Sequence, residues 1–302
     1  MLGVFFKSLE GAFADNTIRA YKSDYAHFAQ WCQQNQQDPL AITGETFAEY
    51  VLRMGNNLST ATIRRRIASL SSIYKLLEKP DPTKSKDVVL TLKRLHRKLG
   101  RAQKQATPLT HDILEKLKEA CSDDIVGIRN KVLLHLGYET MRRRSEICAF
   151  KFDDVQSMHN GHHAILLRRS KTDQFGEGKL LPISESLYKL IEEWRHTINQ
   201  DHGYILRGFT LDHRVTNSLS PASINKILKR LQSKSKLDQI DTLSGHSFRV
   251  GAALDLLEKG MPLERIMLRG GWKSESTAMR YLRNWQEANT IYFFEKPSRS
   301  KL

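Results

Sequence analysis

His246 and Arg249 stand three residues apart in the stretch GHSFR, near the end of a chain of 302 residues. On a helix that spacing puts an imidazole and a guanidinium on one face. The same stretch runs on through Gly270, Gly271 and Trp272 to Tyr281, which lies between Arg280 and Leu282. A second group of cations lies earlier, in YETMRRRSEI, where Arg142, Arg143 and Arg144 precede Glu146. A guanidinium fork grips two phosphate oxygens at once, which a lysine ammonium does not. Cutting a phosphodiester without a metal needs a nucleophile, cations around the nonbridging oxygens, a proton donor or acceptor near the phosphate, and an acid for the leaving 5′-oxygen. The Arg, His and Tyr side chains of these stretches have the chemistry for that work. Each fragment also has an ordinary reading: a surface pair, a solvated helix face, a core Trp, a half-buried Tyr. Their occurrence in one strongly basic chain favours a single site.

Other chemistries find less support. Asp153 and Asp154 are adjacent, as are Asp123 and Asp124, so on a regular element each pair diverges. No HExxH and no spaced carboxylate set is present, which disfavours a metal-dependent nuclease. No GxxxxGK[ST], GxSxG or GxGxxG is present, so neither a metal nor a nucleotide or other cofactor is expected. Cys32, Cys121 and Cys148 are far apart and odd in number, without CxxC spacing. They indicate neither a zinc site nor a disulfide framework and fit a reducing cytoplasm.

The balance of charge points to a polyanion. There are 48 Lys and Arg against 33 Asp and Glu, a formal net charge of +15 and a pI of about 9.7. Fixed cations release counterions from a phosphate backbone, so DNA is the expected partner, with a basic ribosome-associated or merely soluble protein as the alternative. The opening MLGVFFKSLEGAFA is too short and too interrupted for a signal peptide, and no apolar run is long enough to span a membrane.

The first third reads as helices that would carry this charge. Tyr21, Tyr25, Phe28 and Cys32 recur at i, i+4, i+7 and i+11. TGETFAEYVLRMGNN predicts a second helix. Ser59 caps a third, with Ile63, Ile67, Leu70, Tyr74 and Leu77 buried and Arg64, Arg65 and Arg66 mostly off that stripe. A fourth has Val88, Leu92, Leu95 and Leu99 on one side and Lys93, Arg94, Arg97 and Lys98 elsewhere. These cations, with Arg101 in the polar connector 100–110, are the DNA-contact candidates. Beyond the connector, helices are predicted at 110–121, 127–140, 144–149, 184–199 and 221–234. HHAILLRRSKT and KLLPI read as a hairpin around DQFGEG.

The stretch Gly245–Trp285, with LGYETMRRRSEICAFKFDDV and RRSKT, resembles the tyrosine recombinases, the phage integrase family. The first has the family's HxxR, Gly-Gly-Trp and Tyr in the expected order. The resemblance implies a mainly α fold with a small β-hairpin, arranged as a two-domain, C-shaped clamp. Residues 1–106 would be a helical core DNA-binding domain and 107–302 the catalytic domain with a C-terminal tail helix. By the same resemblance Arg143 is the first catalytic arginine, Glu146 its acidic support, and His246 and Arg249 the HxxR pair. Trp272 stands where many members have His. Lys171 is the hairpin lysine and general acid, with Lys179, beyond the turn, as its rival. Tyr281 is the nucleophile. One departure is that the usual Thr-Gly-Leu-Arg before the first box is Thr-Met-Arg-Arg here, from Thr140 to Arg143.

The implied reaction is site-specific recombination through a 3′-phosphotyrosyl link and a Holliday junction, by a homotetramer on double-stranded DNA with an inverted-repeat target. Ile291, Tyr292, Phe293 and Phe294 would dock the tail into a neighbouring subunit, or pack on their own domain. Two other readings use the same residues differently: a monomeric type IB topoisomerase-like relaxase and a non-catalytic DNA-binding regulator.

Overall fold

The computed structural model describes residues 2–100, 105–159, 161–170, 176–279 and 282. The chain divides into two compact units, residues 1–104 and 105–302.

The first unit is helical: α1 (Leu2–Ser8), α2 (Asp15–Gln34), α3 (Gly44–Met54), α4 (Thr60–Leu76) and α5 (Lys86–Leu99). Local chemistry starts three of them. The side chains of Thr43, Ser59 and Ser85 accept N–H bonds from Thr46, Thr62 and Val88 at 3.2, 3.3 and 3.3 Å, pairing donors the first helical turn leaves orphaned. The core gathers Phe28, Phe47, Tyr50, Val51, Ile63 and Val88. α1 lies outside the helices the apolar periodicity predicts, and Phe6 and Leu9 are buried in the same core. Leu99, expected on the buried side of α5, is 44% exposed in the helix's last turn.

The second unit begins with α6 (His111–Glu119), α7 (Ile125–Thr140) and α8 (Arg144–Ala149). Three antiparallel strands follow, β1 (Val155–Ser157), β2 (His163–Leu167) and β3 (Lys179–Ile183), in the order β1-β2-β3. Then come α9 (Glu185–Ile198), α10 (Pro221–Lys234), α11 (Ser247–Glu258) and α12 (Leu263–Gly270). The fold is thus mostly helical with one small sheet. The hairpin differs from the expected one: β2 ends at Leu167, paired with Lys179, so the arginines after it lie outside the ladder. β1, missed in the sequence, is only three residues long. Pro182 is tolerated because β3 is an edge strand.

α7 and α11 are buried nearly all round, which is why their sequences show no clean polar stripe. The chain entering this unit is pinned across them. Leu109 N–H donates to Ser247 O at 3.0 Å. The Asp255 carboxylate accepts from His111 N–H at 2.7 Å and from the Tyr138 hydroxyl. A separate apolar cluster of Met141, Val250, Ala253, Ile266, Trp272, Ala278 and Leu282 joins α11 and α12 to the α7–α8 turn.

Candidate active site

Three chain turns meet around that cluster: the α7–α8 turn, the start of α11 and the end of α12. α7 stops at Met141, whose left-handed backbone (φ 53°, ψ 32°) turns the chain towards α8. A β-carbon is disfavoured in that region, so the position suits glycine, which the family's usual motif places there. Here a wholly buried methionine holds it instead.

Arg143 follows as the residue that precedes α8. The Glu146 carboxylate accepts from its backbone N–H at 3.1 Å and from its guanidinium at 2.8 Å. One buried acid therefore both starts the helix and aims the cation. The three consecutive arginines have separate fates. Arg143 keeps a third of its side chain exposed. Arg144 is exposed, and Arg142 is 2% exposed and turned inwards.

His246 lies at the start of α11, and Arg249 one turn further in. Arg249 is 1% exposed. It donates to Met141 O at 2.6 Å, so the second arginine holds the turn that carries the first. Its guanidinium lies 4.9 Å from the centre of the Trp272 ring. The His246 pKa is lowered, by burial first and then by Arg249, Arg143 and Arg144. Three guanidiniums in Coulombic reach of one imidazole, with Glu146 as the nearby acid, make a place that favours a bound anion.

The Gly-Gly-Trp sequence is explained by the end of α12. Gly271 is left-handed (φ 67°), and the N–H groups of Gly271 and Trp272 return to Leu268 O at 3.3 Å and Met267 O at 3.0 Å. That double closure is a Schellman turn. A β-carbon on Gly270 would lie 2.3 Å from the Trp272 ring, so only glycine lets the indole fold back over the helix end. Residues 275–279 are helical again.

Lys171 and Tyr281 lie outside the described residues, as do Arg101 and the apolar tail 291–294. Lys179 is committed elsewhere: its Nζ donates to Leu268 O at 2.5 Å, and burial followed by Arg142 lowers its pKa. Among the described residues, no group of His, Cys, Asp and Glu is placed to hold a metal ion.

Of the expected DNA contacts, Arg64, Lys93, Arg94, Arg97 and Lys98 are exposed. Arg65 and Arg66 are not the unopposed cations the sequence implied. Arg65 makes two bonds to Asp24, one of them 2.9 Å, and Arg66 lies 3.7 Å from the same carboxylate. Asp24 is 1% exposed and sits on the buried side of α2, where the apolar stripe gave no sign of it.

Residues 107–287 match the phage integrase family, and residues 5–80 match its N-terminal SAM-like domain. The chain belongs to the phage integrase family. This integrase-family chain is 27% identical over 287 residues to the integrase/recombinase XerD homolog of Selenomonas ruminantium, covering 91% of this chain and 84% of that protein. To recombinase Cre of Escherichia phage P1 it is 26% identical over 292 residues, covering 90% and 85%. Its fold matches the XerH site-specific recombinase bound to palindromic difH substrate in a post-cleavage complex. The TM-score is 0.66 at 22% identity, over 91% of this chain and 79% of that one. As a tyrosine recombinase, the chain is an enzyme of site-specific DNA recombination, cutting and rejoining strands.

Proposed function

We propose that Tyr281 is the nucleophile and that the cations around Met141 and Trp272 hold the scissile phosphate. The carrying observation is Arg249, buried between Met141 O and the Trp272 ring and, with Arg143, in Coulombic reach of His246. Such a guanidinium is fixed before substrate arrives, so it spends no reorganisation when charge grows on the phosphate. Tyr281 Oη, its proton passing to His246, attacks phosphorus and the bond to the 5′-oxygen breaks, leaving a 3′-phosphotyrosyl link and a 5′-hydroxyl. Arg143, Arg249 and His246 stabilise the pentacoordinate phosphorane. The Trp272 indole N–H can donate to a phosphate oxygen but cannot shuttle a proton. Lys171 supplies the proton to the leaving oxygen. Glu146 keeps Arg143 in place. The link conserves the energy of the broken bond, and attack by a partner strand's 5′-hydroxyl reverses the chemistry.

Residues 1–106 form the core DNA-binding domain in this reading, and residues 107–302 the catalytic domain with its tail helix. The basic faces of α4 and α5 track phosphates, with Arg64, Lys93, Arg94, Arg97, Lys98 and Arg101 as contacts. The working assembly is a homotetramer on two inverted-repeat sites, acting through a Holliday junction in the cytoplasm. Removing residues 290–302 should spare DNA binding and weaken assembly; unchanged tetramer formation on DNA would refute that role for the tail.

The test uses a nicked duplex bearing a site selected from a randomised library, incubated in chelator. An SDS-resistant, protease-sensitive adduct on Tyr281 is expected, absent in Tyr281→Phe with affinity retained. Tight binding without an adduct, or an adduct on another residue, would overturn the assignment.

A further inference from the structure

Arg142 stands where the family's usual Thr-Gly-Leu-Arg has leucine, and nothing in the reaction above uses it. It is 2% exposed, yet it carries a charge into the interior. Its Nε donates to Thr140 O at 2.8 Å, and a terminal nitrogen donates to Arg269 O. Thr140 is the last residue of α7, and Arg269 is in the last turn of α12. The carbonyl ends of two helices, each the negative end of a dipole, therefore converge on one guanidinium. That convergence offsets the burial of the charge, with no carboxylate among the described residues bonded directly to it. Burial lowers the Arg142 pKa to about 10, so the group stays protonated at neutral pH.

The contact falls where the end of α12 needs it. The Schellman turn satisfies Met267 O and Leu268 O from within. Arg269 O is reached instead by Arg142, while Lys179 from β3 adds a second bond to Leu268 O. Arg142 also sets the space at Gly271, where a β-carbon would lie 2.7 Å from its Nη1. Arg269 closes the arrangement from the other side, donating to Glu139 O at 2.9 Å. The two helix ends joined here lead directly into Arg143 on one side and into Trp272 on the other.

We propose that Arg142 is a positioning residue: by clasping the carbonyl ends of α7 and α12 it fixes Trp272 against the turn that carries Arg143. The effect expected on cleavage rests on the assignment of Tyr281 as nucleophile. A leucine at this position would fill space without bonding either carbonyl. The extra arginine of this sequence is thus a brace between two halves of the site, and it does not touch substrate.

The experiment compares full-length wild type, Arg142→Leu, Arg142→Lys, Trp272→Phe and the Leu/Phe double variant on the nicked duplex. DNA affinity, single-turnover adduct formation and the indole 15N signal of Trp272, assigned by its loss in Trp272→Phe, are measured together. Arg142→Leu should slow adduct formation about 10–100-fold, the scale of a small misplacement of reacting groups, while affinity stays within about threefold. It should shift the Trp272 signal and leave those of Trp31 and Trp194 in place. Arg142→Lys, able to bond one carbonyl, should fall between. The double variant should lose less than the product of the single losses, because both act through one element. An unmoved Trp272 signal, a wild-type rate or fully multiplicative losses would overturn the proposal. If Arg142→Leu does not fold, Arg142→Lys decides, and a wild-type rate with an unmoved signal is the adverse outcome. Tyr281→Phe serves as the separate control: an adduct persisting there would sink the nucleophile assignment, whereas the indole signal reports on the brace regardless.

Discussion

Arg249 lies over the Trp272 ring at 4.9 Å while donating to Met141 O, so one buried guanidinium is held by the ends of two different helices. The ring is a face against which the cation is oriented, worth roughly 0.5–2 kcal/mol in such a desolvated place. Trp272→Phe should keep that face and lose only the N–H, slowing adduct formation by about a hundredfold at most. Trp272→Ala should lose both and slow it by about a hundredfold or more. Single-turnover cleavage rates check the order; an alanine variant as fast as phenylalanine would show that the ring does not orient Arg249.

Glu146 bonds Arg143 twice, through backbone and side chain. Glu146→Gln should keep one neutral acceptor and lose the charge assistance. Stability should fall by about 1 kcal/mol, because Arg143 is partly open to solvent. The larger effect should be on cleavage, about tenfold, with DNA affinity nearly unchanged. A chemical denaturation series beside the cleavage assay separates the two.

Met141 offers a case in which two effects oppose. Met141→Gly would relieve the left-handed backbone, worth about 1–2 kcal/mol. It would also remove a fully buried side chain, a loss of about 2–5 kcal/mol. The second term is larger, so the glycine found in the usual motif should destabilise this chain by about 1–3 kcal/mol. Met141→Leu should lose less than about 1.5 kcal/mol. Thermal unfolding of the two variants tests the sign.

His246 sits below the ordinary histidine value of 6.5, by burial first and then by Arg249, Arg143 and Arg144. Between the two values the unfolded chain binds more protons than the folded one, so stability rises with pH there. The contribution is complete above pH 6.5 and is lost as pH falls through 6.5 towards the folded value. An NMR titration should place the free imidazole below 6.5. A duplex phosphate in the site should raise it, because an anion favours imidazolium. A free-protein value above the ordinary one would contradict the reading.

The two neighbouring arginines Arg64 and Arg65 should behave differently. Arg65→Ala leaves the buried Asp24 with Arg66 at 3.7 Å and should lower stability by about 1–3 kcal/mol. Arg64→Ala should leave the melting temperature within about one degree and reduce the slope of log affinity against log salt by about one. Salt-titrated binding alongside thermal melts distinguishes them.

Features set by near neighbours were readable in the chain itself. Ser59 starts α4, helix 144–149 follows Arg143, and Pro221 opens α10, because caps and fixed φ angles act within a few residues. Gly270, Gly271 and Trp272 stood out in the sequence as a motif, although the turn they form, with a left-handed glycine and a ring folded back over the helix end, shows only in the structure. The HxxR spacing likewise puts His246 and Arg249 one helical turn apart. The family pattern in these stretches was legible for the same reason. What the sequence could not decide was which of three successive arginines faces outwards. Met141 adopts a backbone its residue type disfavours, and the cluster around Val250 and Ile266, with the bond from Arg249, holds it there. Arg65 met an acid 41 residues away, and Arg142 met a carbonyl 127 residues away. β1 is too short to show an alternating pattern and exists only because β2 pairs with it. Local signals come from the chain's own geometry; the aim of a long cationic side chain depends on which carboxylate or helix end packing brings within reach.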